Sequence, residues 1–310
     1  MTAGLLHRSI DAFAVWTEDR KDLPPEPCRL APPAPLTCFD AFNPPSGAPP
    51  REGIWSAPSP RPLRDGDRMC VRATSGRGPS RGTVLLVPPW KIESPGLVSG
   101  YVRVLREAGW DVWLVSPPHH LERTDAGTRS GDGFVSLDIL RLRAAFEQLV
   151  LELRACAVLA AHRGPVGLVG LSLGGLAGAL AATAPERLDF AALVAPPHLP
   201  LVMEQTGIGR RYRRLAALAG SPWPGGAALA AALAPLDPAA RTPTAARLFV
   251  AGGRHDLISP LAGQLALARA WGVEATIYPR GHLSLLFLCR ALRRDLALFA
   301  GRHGLATCAA

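Results

Sequence analysis

Residues 170–175 read Gly-Leu-Ser-Leu-Gly-Gly, directly after the apolar run 166–169 and ahead of the Ala/Leu-rich stretch 176–182. A Ser flanked by glycines at a strand-to-helix junction is the pattern of a nucleophile elbow. The sharp turn lifts the hydroxyl out of the end of a sheet, where its oxygen can reach an electrophilic carbon. Ser172 is therefore the candidate nucleophile. A Ser hydroxyl is too weakly acidic to react unaided, so this chemistry needs an imidazole to take the proton and a carboxylate to orient the imidazole.

Two later segments supply those groups. Gly252-Gly253-Arg254-His255-Asp256 follows the apolar run 247–251, and Pro279-Arg280-Gly281-His282 follows the run 274–278. In an open α/β sheet, ligands bind beyond the carboxyl ends of the strands, so residues just after strands come first in any search for a site. His282 is expected to be the base and Asp256 its acid partner. Asp237 and His255 are the substitutes to test. Attack on an acyl carbon also creates an oxyanion that backbone N–H groups can hold. Leu173, next to the nucleophile, offers one. The loop after 83–87 reads Pro88-Pro89-Trp90; neither proline has an N–H, so Trp90 is the first residue able to offer the second.

His119 and His120 follow the run 111–116 and face the same edge, where they would touch a substrate or brace the oxyanion loop. Adjacent histidines point in different directions and no third ligand stands at a metal-site spacing, so no metal is expected. No dinucleotide or phosphate loop is present, and no cofactor is expected. Arg210, Arg211, Arg213 and Arg214 around Tyr212 read as a solvated basic face or as an attractant for an anionic group.

The elements that must position these groups can be read from periodicity. Strand-length apolar runs at 68–73, 83–87, 111–116, 166–171, 190–195, 247–251 and 274–278 alternate with helical patterns at 100–108, 135–161, 174–184, 261–271 and 283–300. That alternation predicts an α/β fold, a mostly parallel central sheet with helices on both faces. Residues 196–243 interrupt it and predict a small helical cap whose apolar residues, Trp223 among them, would meet the substrate. Residues 1–67 read as an N-terminal helix near 5–16 and a Pro-rich extension, with no regular element expected over 24–62. The α/β domain is expected to span 68–301, with 302–310 as a tail.

The formal charge of +9 would suit nucleic acid, but Lys occurs only at Lys21 and Lys91, the arginines are dispersed, and no recognition module accompanies them. No nucleic-acid partner is expected. The first twenty residues carry Asp11, Glu18 and Asp19 within their apolar pattern and do not form a secretory signal. The stretch 215–236 is broken by Pro and Gly and fails as a membrane span. A cytoplasmic protein with free thiols at Cys28, Cys38, Cys70, Cys156, Cys289 and Cys308 is the expectation.

On the elbow, the acid loop and the Arg-Gly-His loop, in the order Ser, Asp, His, the chain resembles the α/β-hydrolase superfamily over roughly residues 68–301. Pro117-Pro118-His119-His120 and the run from Gly281 to Phe287 look like the branch called α/β-hydrolase domain-containing 18. Val87-Pro88-Pro89-Trp90 is similar to a loop of polyhydroxyalkanoate synthases, whose nucleophile is Cys where this chain has Ser172. The superfamily's usual His-Gly after the oxyanion strand is replaced here by two prolines. The resemblance implies a serine hydrolase acting on a carboxylic ester or a related small or lipid-like acyl compound through an acyl-enzyme. The alternatives are an acyltransferase and a non-catalytic binding protein on the same scaffold. Oligomeric state is left open.

Overall fold

A computed structural model describes residues 3–19, 25–64 and 66–302; the tail 303–310, including Cys308, lies outside the described residues. The strands are β1 (Gly53–Pro58), β2 (Arg68–Thr74), β3 (Thr83–Val87), β4 (Asp111–Ser116), β5 (Val166–Leu171), β6 (Phe190–Val194), β7 (Leu248–Gly253) and β8 (Ala275–Tyr278). They form one sheet in the order β1-β2-β4-β3-β5-β6-β7-β8. β2 runs antiparallel to both its neighbours, and every pairing from β4 to β8 is parallel. The parallel strands therefore end at one edge, and the loops after β3, β5, β7 and β8 meet there.

The helices are α1 (Ala3–Asp19), α2 (Ser99–Glu107), α3 (Ile139–Ala161), α4 (Leu173–Ala181), α5 (Leu199–Gln205), α6 (Gly207–Leu218), α7 (Gly226–Leu233), α8 (Leu261–Ala270) and α9 (Arg290–Gly301). Strand side chains alternate between faces. Leu85 and Val87 of β3 join one apolar cluster with α3, α4 and α8, while Val84 and Leu86 join another with α2 and α9. With both faces covered, β3, β5 and β6 are buried at every residue. No helix among the described residues is long and apolar enough to cross a membrane.

The Pro-rich segment departs from expectation. Residues 53–58 form β1, an edge strand on β2 with Pro58 at its end, where a missing N–H costs no ladder bond. Upstream, the segment is short of N–H groups but still carries carbonyls that need donors. Helix α3 provides them: Arg143 donates to the carbonyls of Pro32 (2.8 Å) and Ala34 (2.6 Å), and Arg154 donates to those of Cys38 and Asp40. These arginines are buried, which explains charged residues on a helix that is apolar almost all round.

Further along α3, the buried Glu152 receives Arg123 Nη1 at 2.6 Å, Ser59 Oγ at 2.7 Å and Gln148 Nε2 at 2.8 Å, and Arg123 also reaches Asp67. This network ties the ends of β1 and β4 to α3. The cluster holds Asp67 below its ordinary carboxylate range: burial opposes that charge, but Gln148 and Arg123 outweigh it.

The expected last helix also differs. It is split into a π-helical turn at Ser284–Leu288 and α9, separated by Cys289 in an extended conformation. The carbonyls freed at the break are taken by side chains: Tyr101 Oη donates to Leu286 at 2.7 Å and Arg293 to Phe287 at 3.1 Å. The five described cysteines are free thiols.

Arg123→Ala leaves Glu152 buried without its cation and should lower unfolding stability by about 3–5 kcal/mol in denaturant titration. Arg187→Ala, which removes an exposed pair with Asp189, should change it by less than about 1 kcal/mol.

Candidate active site

Ser172 sits between β5 and α4 with φ 52° and ψ −115°. A left-handed φ is strained for a residue with a Cβ. The flanking glycines have ordinary φ values and serve a different purpose from the one expected. A Cβ on Gly170 would come within 2.2 Å of the Gly174 carbonyl oxygen, and one on Gly174 within 2.3 Å of that of Val87. The glycines give clearance, and the Ser itself makes the turn. Its own N–H donates to the Val194 carbonyl at 2.8 Å, anchoring the elbow to β6.

The three sequence-derived residues come together. His282 Nε2 lies 2.9 Å from Ser172 Oγ, and His282 Nδ1 lies 2.7 Å from Asp256 Oδ2. Asp256 Oδ1 accepts the N–H groups of Ile258 (2.9 Å) and Ser259 (2.7 Å), which fixes the carboxylate plane. Burial disfavours the imidazolium of His282, but the charge and hydrogen bond of Asp256 outweigh it and hold the pKa above the ordinary 6.5. Both loops depend on Gly253, where a Cβ would meet the Arg280 carbonyl oxygen at 2.7 Å; the His255 N–H donates to that same oxygen at 2.9 Å. Of the substitutes, Asp237 caps a short turn through the N–H of Ala239, and neither it nor His255 bonds to His282.

The loop after β3 packs on the elbow at Gly174. Trp90 Nε1 donates to the Gly131 carbonyl at 2.9 Å, and the Lys91 N–H donates to His120 Nε2 at 3.3 Å. His120 in turn bonds the Pro118 carbonyl through Nδ1 at 2.7 Å. Burial pushes its pKa down to about 4, so Nε2 is a free acceptor at neutral pH. His120 thus braces the loop that carries Trp90, one of the two roles left open by sequence. His119 turns to Asp125, with Nδ1 2.7 Å from Oδ2. Gly131, which sequence reasoning missed, has φ +85°, and a Cβ there would strike both His120 Nε2 and Lys91 N. Leu173 opens α4, so its N–H belongs to a first turn that lacks intrahelical partners.

Beside Ser172 lies a narrow cavity of about 70 Å3, walled by Trp90, Phe146, Leu173 and cap residues that include Leu199, Val202, Met203, Tyr212 and Leu233. Its lining is nearly all apolar, the property that suits an acyl chain or similar group. The segment between β6 and β7 is helical as expected, but Trp223 does not line this cavity. Its indole lies under the Arg213 guanidinium, 5.7 Å from ring centroid to Arg213 Cζ. Leu218 is exposed. Asp11 of α1, which composition marked only as a break in an apolar pattern, is fully buried against the histidine loop.

No family model matches this sequence, and no curated protein matches it. Solved structures do. The chain is similar to a lipase in an open form (18% identity, TM-score 0.56, covering 81% of this chain and 98% of that one). It is also similar to Est1E from Butyrivibrio proteoclasticus (11%, 0.53, 81% and 97%) and to an enol-lactonase from Burkholderia xenovorans (16%, 0.51, 79% and 99%). The chain has the α/β-hydrolase fold. At these identities the likeness establishes the fold alone, and the chemistry has to be argued from the residues.

The geometry makes opposite demands on two histidines. In an NMR titration His282 should protonate above pH 6.5, while His120 should stay neutral until about pH 4. Asp256→Asn should bring the His282 transition down; an unchanged transition would show that the carboxylate does not act on the imidazole.

Proposed function

We propose that the protein is a serine hydrolase that cleaves a carboxylic ester or a related acyl compound through an acyl-enzyme. The observation that carries this reading is the continuous hydrogen-bonded line from Ser172 Oγ through His282 to Asp256, opening on an apolar cavity. With Nδ1–H held by Asp256, His282 keeps Nε2 free to accept the Ser172 proton.

In this reading Ser172 Oγ bonds to the acyl carbon as its proton passes to His282 Nε2. The N–H groups of Trp90 and Leu173 hold the oxyanion. Collapse breaks the bond to the leaving oxygen, which takes the proton from His282. Water then attacks the acyl-enzyme, again giving a proton to His282, and Ser172 recovers its own as the acid departs. The imidazolium formed twice in this cycle is the species that Asp256 stabilises. A raised His282 pKa places the acid limb of kcat/KM above pH 6.5, because the imidazole must be neutral to act as a base.

Two of the similar structures are named a lipase and an enol-lactonase, names that describe acyl–oxygen cleavage and support the same class of reaction. The reading includes a cofactor-free cytoplasmic enzyme. The motifs around His119 and after Gly281 favour a place near the α/β-hydrolase domain-containing 18 branch. The helices of 196–243 act in it as a cap that sizes the acyl group.

A fluorophosphonate should label Ser172 alone. Ser172→Ala should abolish labelling and ester turnover, and His282→Ala or Asp256→Asn should lower kcat on the order of 10⁴-fold. Labelling of another serine overturns the assignment. Because Val202 and Leu233 line the cavity and Trp223 does not, Val202→Trp or Leu233→Trp should depress kcat/KM for longer acyl esters far more than for acetate. Trp223→Ala should leave that preference unaltered, and an altered preference would relocate the acyl site.

A further inference from the structure

Helix α1 docks in an unusual way. Leu5, Leu6, Phe13 and Trp16 are exposed, whereas His7 and Asp11, one turn apart on the opposite face, are buried. The buried side chains that seat this helix are therefore polar, with Val15 packing half-buried beside Gly207 of α6. Asp11 Oδ2 accepts the N–H of His282 at 2.7 Å and that of Leu257 at 3.2 Å, while Oδ1 accepts the N–H of Leu283 at 3.0 Å. Leu257 follows Asp256 directly, so one carboxylate bonds to the acid loop and the histidine loop together. His282 is 271 residues away in sequence.

The chain makes room for this contact. A Cβ at Gly281 would meet Asp11 Oδ2 and the His7 carbonyl oxygen, both at 2.7 Å. Alongside, Arg280 Nη1 lies 2.8 Å from His7 Nε2. A buried carboxylate is costly unless its oxygens are bonded, and here the three N–H groups belong to the two loops that hold the base and its acid.

We propose that Asp11 is a positioning residue for His282: the N-terminal helix supplies a second carboxylate that fixes the histidine loop to the acid loop and sets the electrostatics behind the imidazole. The inference rests on the Ser172–His282–Asp256 reading above. Asp11 makes no contact with Ser172 and acts through the backbone of His282 and through its charge. The charge supports the imidazolium, adding to the larger effect of Asp256. Burial raises the Asp11 carboxyl above its ordinary range, against the pull of its three N–H donors. The other titratable or charged groups facing this cluster are His7 on α1, His255 on the acid loop and Arg280 on the histidine loop.

The test is the pH dependence of ester hydrolysis in the full-length Asp11→Asn protein, with active sites counted by fluorophosphonate and folding followed by circular dichroism. Asn keeps the shape, removes the charge and presents an NH2 where an N–H must be accepted. Expected are a kcat lowered by about ten- to a hundred-fold with little change in KM, and an acid limb moved to lower pH by roughly half a unit or more. A merely structural role would lower kcat or the folded fraction and leave the acid limb in place. Wild-type kcat, or an unmoved acid limb, overturns the proposal.

If Asp11→Asn does not fold, Asp11→Glu carries the test. It retains the charge one methylene out of place, so kcat should fall while the acid limb stays; a wild-type kcat contradicts the proposal. Ser172→Ala, assayed in parallel, separates the two readings. Activity surviving in Ser172→Ala sinks the triad itself, whereas an inert Ser172→Ala beside an unaffected Asp11→Asn sinks only the role of Asp11.

Discussion

The constraint on which the site depends is the backbone of Ser172. A residue with a Cβ held at φ 52° and ψ −115° costs on the order of 1–3 kcal/mol, and persists only where the surroundings over-determine it. They do so here. β5 is buried throughout on one side of the turn and α4 on the other. Gly170 and Gly174 let the turn close to distances that no side chain would allow, and the Ser172 N–H is held by β6. Those same clearances press the elbow against the loop after β3. The turn that exposes the hydroxyl thus also sets the place of the Trp90 backbone.

Around that point the fold meets a second demand, the satisfaction of buried polar groups. Prolines remove donors from the N-terminal segment, so its carbonyls draw on Arg143 and Arg154 of α3. Prolines likewise remove donors from the loop after β3, and that loop is fixed by the Trp90 indole and the neutral imidazole of His120. The N-terminal helix follows the same logic in reverse, bringing a carboxylate to N–H groups that the histidine loop leaves open. In each case a side chain distant in sequence completes a backbone that cannot complete itself.

These long-range completions mark the boundary of what the sequence made legible. The central strands β3, β4 and β5 have the bounds read from sequence, because parallel strands covered on both faces are unbroken apolar runs stopped by Gly, Pro or charge. β1 was hidden by the prolines around it, and an edge strand carries no such run. The break at Cys289 was hidden because apolar spacing continues through it. Ser172, Asp256 and His282 stood out since each follows a strand, and parallel topology carries strand ends to one edge. Asp11 had no local signal: its partners lie some 246 to 272 residues on, and the large apolar residues Leu5, Leu6, Phe13 and Trp16 of its helix are exposed. Trp223 was misplaced for a related reason, since apolarity says that a residue packs but not against what.

The central claim is that Ser172 carries the acyl group. Rapid quenching of the protein with a p-nitrophenyl ester, followed by peptide mass spectrometry, tests it most directly. The predicted result is a pre-steady-state burst of p-nitrophenol and an acyl adduct on tryptic peptide 164–187, in which Ser172 is the only serine. Steady turnover with no burst and no adduct on that peptide, or an adduct that persists in Ser172→Ala, would contradict the account.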